Sequence, residues 1–206
     1  MKKVAIFDID GTIFRSSLLI DLVNVLIDDK IFPEKARLEY EKEYLTWLDR
    51  RGSYQDYIQA MVDVFMKYIK GVRQEDLMSA AKEVMVHHKD RVYRYTRDLT
   101  SKLKKDGYYL LAISHSPKMI AEEFAKSLKF DKVYGTLYEI DSEGKFTGKI
   151  LEEELIFNKE KILDRAVEKE GLTLTESVGV GDTEGDIKML SKVAHPICFN
   201  PNSLLY

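Results

Sequence analysis

Near its start the chain reads Val4-Ala5-Ile6-Phe7-Asp8-Ile9-Asp10-Gly11-Thr12. Four consecutive apolar residues that end at an acidic residue are typical of a strand buried on both faces of a parallel sheet. Short apolar runs of the same kind occur at residues 108–113, 178–181 and 196–199. The sequence therefore predicts several central strands, each followed directly by polar residues or a turn.

Helical patterns lie between these runs. Residues 118–128 follow Pro117, residues 158–170 stop before Gly171, and residues 183–192 form a shorter third pattern. Proline is favoured at the start of a helix, and glycine is favoured just after its end. Strands that alternate with helices predict an α/β fold with a mostly parallel sheet.

Residues 17–100 interrupt this alternation with one helical pattern after another and no strand-like run. We predict helices at about residues 18–27, 34–50, 53–69, 74–88 and 90–105. The predicted domains are an α/β core of residues 1–16 and 101–206 and a helical insertion of residues 17–100. Within the core, residues 137–150 predict a β-hairpin, because a turn sequence with Gly144 separates two β-rich runs.

The composition limits the classes of protein to consider. Lys and Arg number 32 and Asp and Glu number 35, so the net charge of −3 gives no electrostatic reason to expect nucleic-acid binding. The single cysteine, Cys198, excludes an intramolecular disulfide and suits a reducing compartment. The N-terminal apolar run is shorter than the core of a signal peptide, and no run resembles a membrane span. We expect a cytoplasmic protein without stable membrane insertion.

Polar side chains suited to catalysis follow three predicted strands: Asp8 and Asp10, Ser114, and Asp182. These residues should converge, because ligands of open α/β sheets bind beyond the carboxyl ends of the strands. Three carboxylates at one place would repel one another without a cation, and a set of oxygen ligands favours Mg²⁺. Asp186 is expected one helical turn after Asp182, as a further ligand or as a partner of one.

Lys159 and Gly11 extend this set, and together with Ser114 they suggest a phosphoryl group as the ligand. Lys159 begins a predicted helix and can neutralise a phosphoryl group, Ser114 can donate to a phosphoryl oxygen, and Gly11 lets backbone amides approach an anion. Acids, hydroxyl and lysine at one sheet edge predict phosphoryl transfer, with a carboxylate attacking phosphorus in line. His115 and Arg15 are further candidates for contacting the substrate.

These residues resemble the four motifs of the haloacid dehalogenase superfamily, and specifically its subfamily IB, the phosphoserine phosphatase-like branch. The motifs here are Asp8-Ile9-Asp10-Gly11-Thr12, then Ser114, then Lys159 in Lys159-Glu160-Lys161-Ile162-Leu163, and finally Gly181-Asp182-Thr183-Glu184-Gly185-Asp186. The resemblance implies a Rossmann-like three-layer core, an all-helical C1-type cap inserted after the first strand, and a β-hairpin. It covers residues 1–16 and 105–206, whereas the helical insertion matches in position and helicity only.

The resemblance also implies Mg²⁺-dependent hydrolysis of a small phosphate monoester. Asp8 would be the nucleophile that becomes an aspartyl phosphate. Asp10 would protonate the leaving oxygen and then activate water. The metal would be held by the carboxylates of Asp8 and Asp182 and by the backbone carbonyl of Asp10, with Asp186 in support.

Two departures from the phosphoserine phosphatase pattern concern the substrate. His115-Ser116-Pro117 stands where those enzymes have glycines after the serine of the second motif. Arg15-Ser16-Ser17 stands where they carry an acidic residue that binds the substrate amino group. Both departures argue against phosphoserine as the substrate.

Other interpretations remain open at this stage. A phosphotransferase or mutase would use the same scaffold but pass the phosphoryl group to an alcohol. A receiver-like signalling module also carries an aspartyl phosphate, but such modules lack a large helical insertion and an acid at the position of Asp10. Lys161 is a less favoured alternative to Lys159. The oligomeric state stays undetermined.

Overall fold

The computed structural model describes residues 1–206 and contains one six-stranded sheet. The strands are β1 Lys2–Phe7, β2 Tyr109–Pro117, β3 Lys132–Ile140, β4 Phe146–Leu151, β5 Leu172–Gly181 and β6 His195–Cys198. Their order is β4-β3-β2-β1-β5-β6. Every neighbouring pair is parallel except β3 and β4, which confirms the mostly parallel sheet.

Nine α-helices accompany the sheet. Five lie between β1 and β2: α1 Leu18–Asp28, α2 Glu41–Leu48, α3 Tyr54–Tyr68, α4 Gln74–His88 and α5 Arg94–Lys105. The other four are α6 Lys118–Ser127, α7 Glu153–Ile156, α8 Lys159–Glu170 and α9 Ile187–Leu190. None of the nine combines the length and the apolar character that crossing a membrane requires.

Alternate residues of β1 enter two different hydrophobic clusters. Val4 and Ile6 belong to a cluster of 12 buried residues that includes the inner face of α8. Ala5 and Phe7 belong to a cluster of 34 buried residues that contains α6 and continues into the helical insertion. Successive side chains of a strand point to opposite faces, so the sheet is the middle of three layers. The helical insertion thus shares its core with one face of the sheet, while its status as a separate domain stays a prediction.

Side-chain caps explain where two helices of the insertion begin. The Ser17 hydroxyl accepts a hydrogen bond from the Leu19 N–H at 3.3 Å, at the start of α1. Ser53 and Asp56 form a reciprocal capping box at the start of α3. Such caps satisfy N–H groups that have no partner within the helix, and each is worth about 0.5–2 kcal/mol. The α1 start places its first turn directly beside the end of β1.

The predicted hairpin is confirmed, because β3 and β4 pair antiparallel around the turn that contains Gly144. The strand β3 is longer than predicted. Its first half, from Lys132 to Thr136, pairs in parallel with β2. One strand therefore joins the hairpin to the parallel sheet.

Three predicted helices have different bounds. Residues 34–50 form a 3₁₀ segment, Glu34–Glu39, and then α2. The buried Tyr40 lies between them with a φ of −119°, away from the value of about −63° of a regular α-helix, and its hydroxyl donates to Asn24 Oδ1 on α1 at 2.8 Å. The last helix of the insertion begins at Arg94 rather than at residue 90, since the preceding residues pair with residues 13–15. Residues 183–192 divide into a 3₁₀ turn and α9, because Thr183 and Asp186 cap each other.

Candidate active site

The register of the sheet brings the ends of three strands to one edge. Phe7 is paired with Ala112 on β2 and with Val180 on β5. The Asp8 N–H then donates to the Val180 carbonyl at 2.9 Å. The polar residues that follow these paired positions therefore meet at the carboxyl edge, as the sequence predicts for an open α/β sheet.

Two glycines make room for carboxylates at this edge. Gly11 has a φ of +82°, and a Cβ atom there would lie 2.1 Å from Asp182 Oδ2. A Cβ atom on Gly181 would lie 2.5 Å from the Cγ of Asp186. Both distances are shorter than any tolerable contact, so a side chain at either position would displace an acidic group of the site.

Lys159 joins two of the acidic residues. It is the first residue of α8, which is capped by Asn158, and its Nζ lies 2.6 Å from Asp8 Oδ1 and 2.6 Å from Asp186 Oδ1. All three side chains are buried. Lys161, two residues further along α8, is exposed, so the geometry favours Lys159 over the alternative.

Asp186 is held by its own chain as well as by Lys159. Its Oδ2 accepts hydrogen bonds from the backbone N–H of Asp182 at 3.1 Å and of Thr183 at 3.2 Å. Because both of its carboxylate oxygens have donors, Asp186 is well placed to orient Lys159 and the Asp182 loop.

Asp10 is fixed by three donors from two segments. Its Oδ2 accepts from the hydroxyls of Ser114 at 2.7 Å and Ser116 at 2.9 Å. Its Oδ1 accepts from the Leu18 N–H, at the start of α1, at 2.6 Å. Ser114 is fully buried and does not line the neighbouring cavity, so its contact with a phosphoryl oxygen stays a prediction, whereas Ser116 lines that cavity. The carboxylate of Asp10 is thus held at the junction of the core and the helical insertion.

The remaining carboxylates form a group that could hold a metal ion. Oxygen atoms of Asp8, Asp182 and Asp186 all lie within 4.8 Å of one another. Burial raises the pKa of Asp8, and the neighbouring acids raise it further while Lys159 opposes them. Burial likewise raises the pKa of Asp182 to about 6, although the hydroxyl of Thr12 donates to it at 2.9 Å.

The charge balance of this group favours a cation. Burial by itself would lower the pKa of Lys159, but Asp8 and Asp186 raise it, so the lysine is charged. One ammonium group does not balance three carboxylates, two of which are buried and one partly buried. Oxygen donors without nitrogen or sulfur ligands are the set that hard divalent ions such as Mg²⁺ prefer. The residues present therefore fit the predicted metal.

A cavity of about 350 Å³ opens above these residues. The core lines it with Asp8, Asp10, Gly11, Ser16, His115, Ser116, Lys159 and residues 182–185, and the helical insertion lines it with Ser17, Leu19, Tyr54, Gln55, Ile58 and Val62. Arg15 is not among the lining residues. It is exposed, and its guanidinium carbon lies 5.6 Å from the centre of the Tyr93 ring. The contact between Arg15 and the substrate therefore stays a prediction. The position of the side chain does not favour it.

His115 lines the cavity as an uncharged group at neutral pH. Its ring packs edge-on against Phe157, with the ring centres 5.7 Å apart. Although part of the residue is exposed, lost hydration and the charge of Lys159 lower the pKa of His115 to about 4. Lys159 is thus the one cationic side chain that lines the cavity at neutral pH.

Some residues of the site were not identified from the sequence. Thr12 belongs to the first motif, and its hydroxyl binds Asp182, but the motif alone does not say so. Ser116 lies two residues after Ser114, and this spacing, which puts both side chains on one side of an extended strand, could have revealed it. The lining residues of α3 left no comparable signal in the sequence.

The chain is similar to several known phosphoserine phosphatases. A phosphoserine phosphatase of Methanocaldococcus jannaschii is 26% identical over 207 residues, which are 99% of this chain and 88% of that protein. A phosphoserine phosphatase of Archaeoglobus fulgidus is 22% identical over 205 residues, and the chain spans only 54% of its length. The crystal structure of an apo phosphoserine phosphatase has a TM-score of 0.63 at 21% identity, with 100% of this chain and 90% of that chain covered.

These similarities establish the fold, and the confirmed three-layer architecture is the one that the sequence motifs imply. A family model described as haloacid dehalogenase-like hydrolase matches residues 5–191 of the chain. That range runs from β1, through the helical insertion, to the end of α9 and includes every acid and lysine of the site. The chain therefore belongs to the haloacid dehalogenase-like hydrolase family.

Proposed function

We propose that this hydrolase is a Mg²⁺-dependent phosphatase that cleaves a small phosphate monoester through an aspartyl phosphate on Asp8. The observation that carries the proposal is the position of Asp8. It lies at the base of the cavity, bound to Lys159 at 2.6 Å and next to Asp182 and Asp186. The phosphoserine phosphatases among the relatives support phosphate esters as the substrate class.

We assign the metal to the carboxylates of Asp8 and Asp182 and to the backbone carbonyl of Asp10. Asp186 supports the site by orienting Lys159 and the Asp182 backbone. When bound, Mg²⁺ supplies positive charge for the carboxylates and for the phosphoryl oxygens. The helical insertion acts as a cap that covers the reacting groups and limits the access of water.

The first step is the transfer of the phosphoryl group to Asp8. Lys159 holds Oδ1, so we assign the in-line attack on phosphorus to Oδ2. A bond forms between Oδ2 and phosphorus, the ester P–O bond breaks, and its electron pair stays on the leaving oxygen. Asp10, in its protonated form, gives that oxygen a proton and releases the alcohol.

The second step returns Asp8 to its starting form. The Asp10 carboxylate takes a proton from water while the water oxygen attacks phosphorus. The bond between phosphorus and Asp8 Oδ2 then breaks, and inorganic phosphate leaves. Ser114, Ser116 and the Leu18 N–H keep Asp10 in one orientation for both proton transfers. An acid in this position favours turnover over a long-lived phosphorylated state.

A direct test measures phosphate release from para-nitrophenyl phosphate. Activity should require Mg²⁺, disappear with EDTA and return when Mg²⁺ is added in excess. Asp8→Asn should remove it, whereas Asp29→Asn, at an exposed acid beyond α1, should have no effect. Full activity of Asp8→Asn, or activity that is indifferent to EDTA, would refute the proposal.

A further inference from the structure

One part of the cavity wall, contributed by the helical insertion, carries no charged side chain. It is formed by Leu19 of α1 and by Tyr54, Gln55, Ile58 and Val62 of α3. Ile58 and Val62 are four residues apart, so they form one apolar strip along the helix. In the mechanism proposed above, the alcohol that leaves phosphorus would lie against this surface, which we call the α3 surface.

Apart from the proposed Mg²⁺, which would bind the phosphoryl group, the cavity offers no free cation to a negatively charged alcohol. Lys159 is the only lysine or arginine among the lining residues, and both Asp8 and Asp186 occupy its ammonium group at 2.6 Å. The His115 ring is uncharged at neutral pH, and Arg15 lies outside the cavity. A carboxylate on the substrate would lose water here without gaining an ion pair, which is costly.

Negative charge at the α3 surface is equally scarce. The one buried carboxylate of the helical insertion, Asp21, does not line the cavity and is paired with Arg91 at 3.3 Å. Glu184 does line it, but from the core, where it is exposed and accepts a hydrogen bond from the Asn202 amide. An ammonium group on the leaving alcohol therefore has no partner on the α3 surface.

The polar groups of the α3 surface are neutral. Gln55 carries an amide that can donate or accept, and the Tyr54 hydroxyl lies beside Ser16. Desolvation raises the pKa of Tyr54 to about 12, so its hydroxyl keeps its proton at neutral pH. These groups suit a hydroxyl or ether oxygen.

We infer that the substrate is the phosphate monoester of an uncharged alcohol whose carbon chain packs on Ile58, Val62 and Leu19. This inference rests on the proposed phosphatase activity and adds the substrate class. It excludes amino-acid and acid phosphates as preferred substrates. The recognition comes from apolar contact and neutral hydrogen bonds, so charge on the alcohol lowers the rate whichever sign it has.

The test compares kcat/KM for four esters of similar size with Mg²⁺ present. They are n-butyl phosphate, phosphoserine, phosphoglycolate and phosphoethanolamine. We expect kcat/KM for n-butyl phosphate to exceed each of the other three by at least about tenfold. If kcat/KM for phosphoserine or phosphoglycolate equalled or exceeded that for n-butyl phosphate, the inference would be overturned. A preference for phosphoethanolamine would overturn it as well and would point to Glu184.

Two variants connect the preference to the α3 surface. Ile58→Ala should reduce the ratio of kcat/KM for n-butyl phosphate to that for methyl phosphate by at least about threefold, because a shorter side chain loses contact only with the longer alcohol. Val62→Lys should shift the preference toward phosphoglycolate. Val86→Ala, at a valine on α4 that is 73% exposed, serves as the control and should change neither ratio.

The possible results distinguish a failure of the proposed substrate class from a failure of the proposed phosphatase activity. Unchanged ratios in both Ile58→Ala and Val62→Lys would remove the α3 surface from substrate recognition while leaving the phosphatase activity in place. No hydrolysis of any ester, including para-nitrophenyl phosphate, would instead refute the proposed function itself. Because the four-ester comparison uses the unaltered protein, it decides the inference even if a variant fails to fold.

Discussion

Lys159 Nζ lies 2.6 Å from Asp8 Oδ1, and the two side chains are only 5% and 7% exposed. The same ammonium group binds Asp186 at 2.6 Å. One lysine at the start of α8 thus ties the end of β1 to the 3₁₀ turn that follows β5. A buried ion pair of this kind adds little net stability, but removal of one partner leaves an unpaired buried charge.

The first prediction concerns Lys159→Gln. Without the ammonium group, Asp8 and Asp186 repel each other and the attacking carboxylate loses its orientation. We expect kcat to fall by about 10²–10³-fold and the metal-free protein to lose about 3–5 kcal/mol of unfolding free energy. Steady-state kinetics and chemical denaturation measure the two effects.

Lys161→Gln is the matched control, because Lys161 lies on the same helix but is exposed. Its kcat and its unfolding free energy should stay close to those of the unaltered protein. If Lys161→Gln removed activity and Lys159→Gln did not, the assignment of the lysine would be wrong.

The second prediction uses two glycines with the same backbone angle. Gly11 and Gly107 both have a φ of +82°, but only at Gly11 would a Cβ atom meet another group, Asp182 Oδ2. Both Gly→Ala variants should lose about 1–2 kcal/mol of unfolding free energy through backbone strain. Only Gly11→Ala should also lose activity and the stabilisation that Mg²⁺ gives in thermal unfolding. Equal activity of the two variants would contradict the role of Gly11.

Much of the fold could be predicted from the sequence because its strands are short apolar runs that end in polar residues. The parallel pairing and the hairpin followed from these runs. The helix boundaries of the insertion were less predictable. The predicted helix at residues 34–50 is interrupted at Tyr40, whose side chain is buried and bonded to Asn24, and a contact between residues distant in sequence leaves no periodic signal.

The positions of several site residues could also be predicted, because they follow strands or begin helices. Asp8, Asp10, Asp182 and Lys159 are fixed by strand and helix ends, which the sequence marks clearly. For Arg15 the sequence predicts a contact with the substrate, whereas the structure places its guanidinium group over the Tyr93 ring. The α3 surface could not be predicted, because it forms only when α3 packs over the edge of the sheet. No local sequence pattern indicates that packing.

The third prediction separates the two roles of Asp10. Asp10→Asn has nearly the same size and keeps one acceptor oxygen, but it cannot transfer a proton. We expect kcat for an alkyl phosphate to fall by about 10²–10⁴-fold. For para-nitrophenyl phosphate, whose leaving group needs no proton, the rate of phosphoryl transfer to Asp8 should fall much less. Because the second step is still slow, a burst of para-nitrophenol should appear. An equal loss in the first step for both substrates would contradict the acid role.

The fourth prediction concerns the protonation of His115. Its pKa is lowered to about 4 by lost hydration and by Lys159. The unfolded chain, with an ordinary histidine pKa of about 6.5, binds the proton more tightly, so the folded state loses stability as the pH falls from about 6.5 to 4. His115→Gln should lose less stability over that interval. Titration by NMR, assigned with this variant, should give a pKa below 5, and a value near 6.5 would be inconsistent with it.

The central claim is that Asp8 itself carries the phosphoryl group. The most direct measurement mixes the Mg²⁺-loaded Asp10→Asn protein with para-nitrophenyl phosphate, quenches it in acid, and locates the added phosphoryl group by peptide mass spectrometry. We predict one phosphoryl group per chain, on the peptide and residue of Asp8, and none when Asp8 is also replaced by Asn. Phosphate release without any phosphorylated peptide, or a phosphoryl group on another residue, would contradict the account.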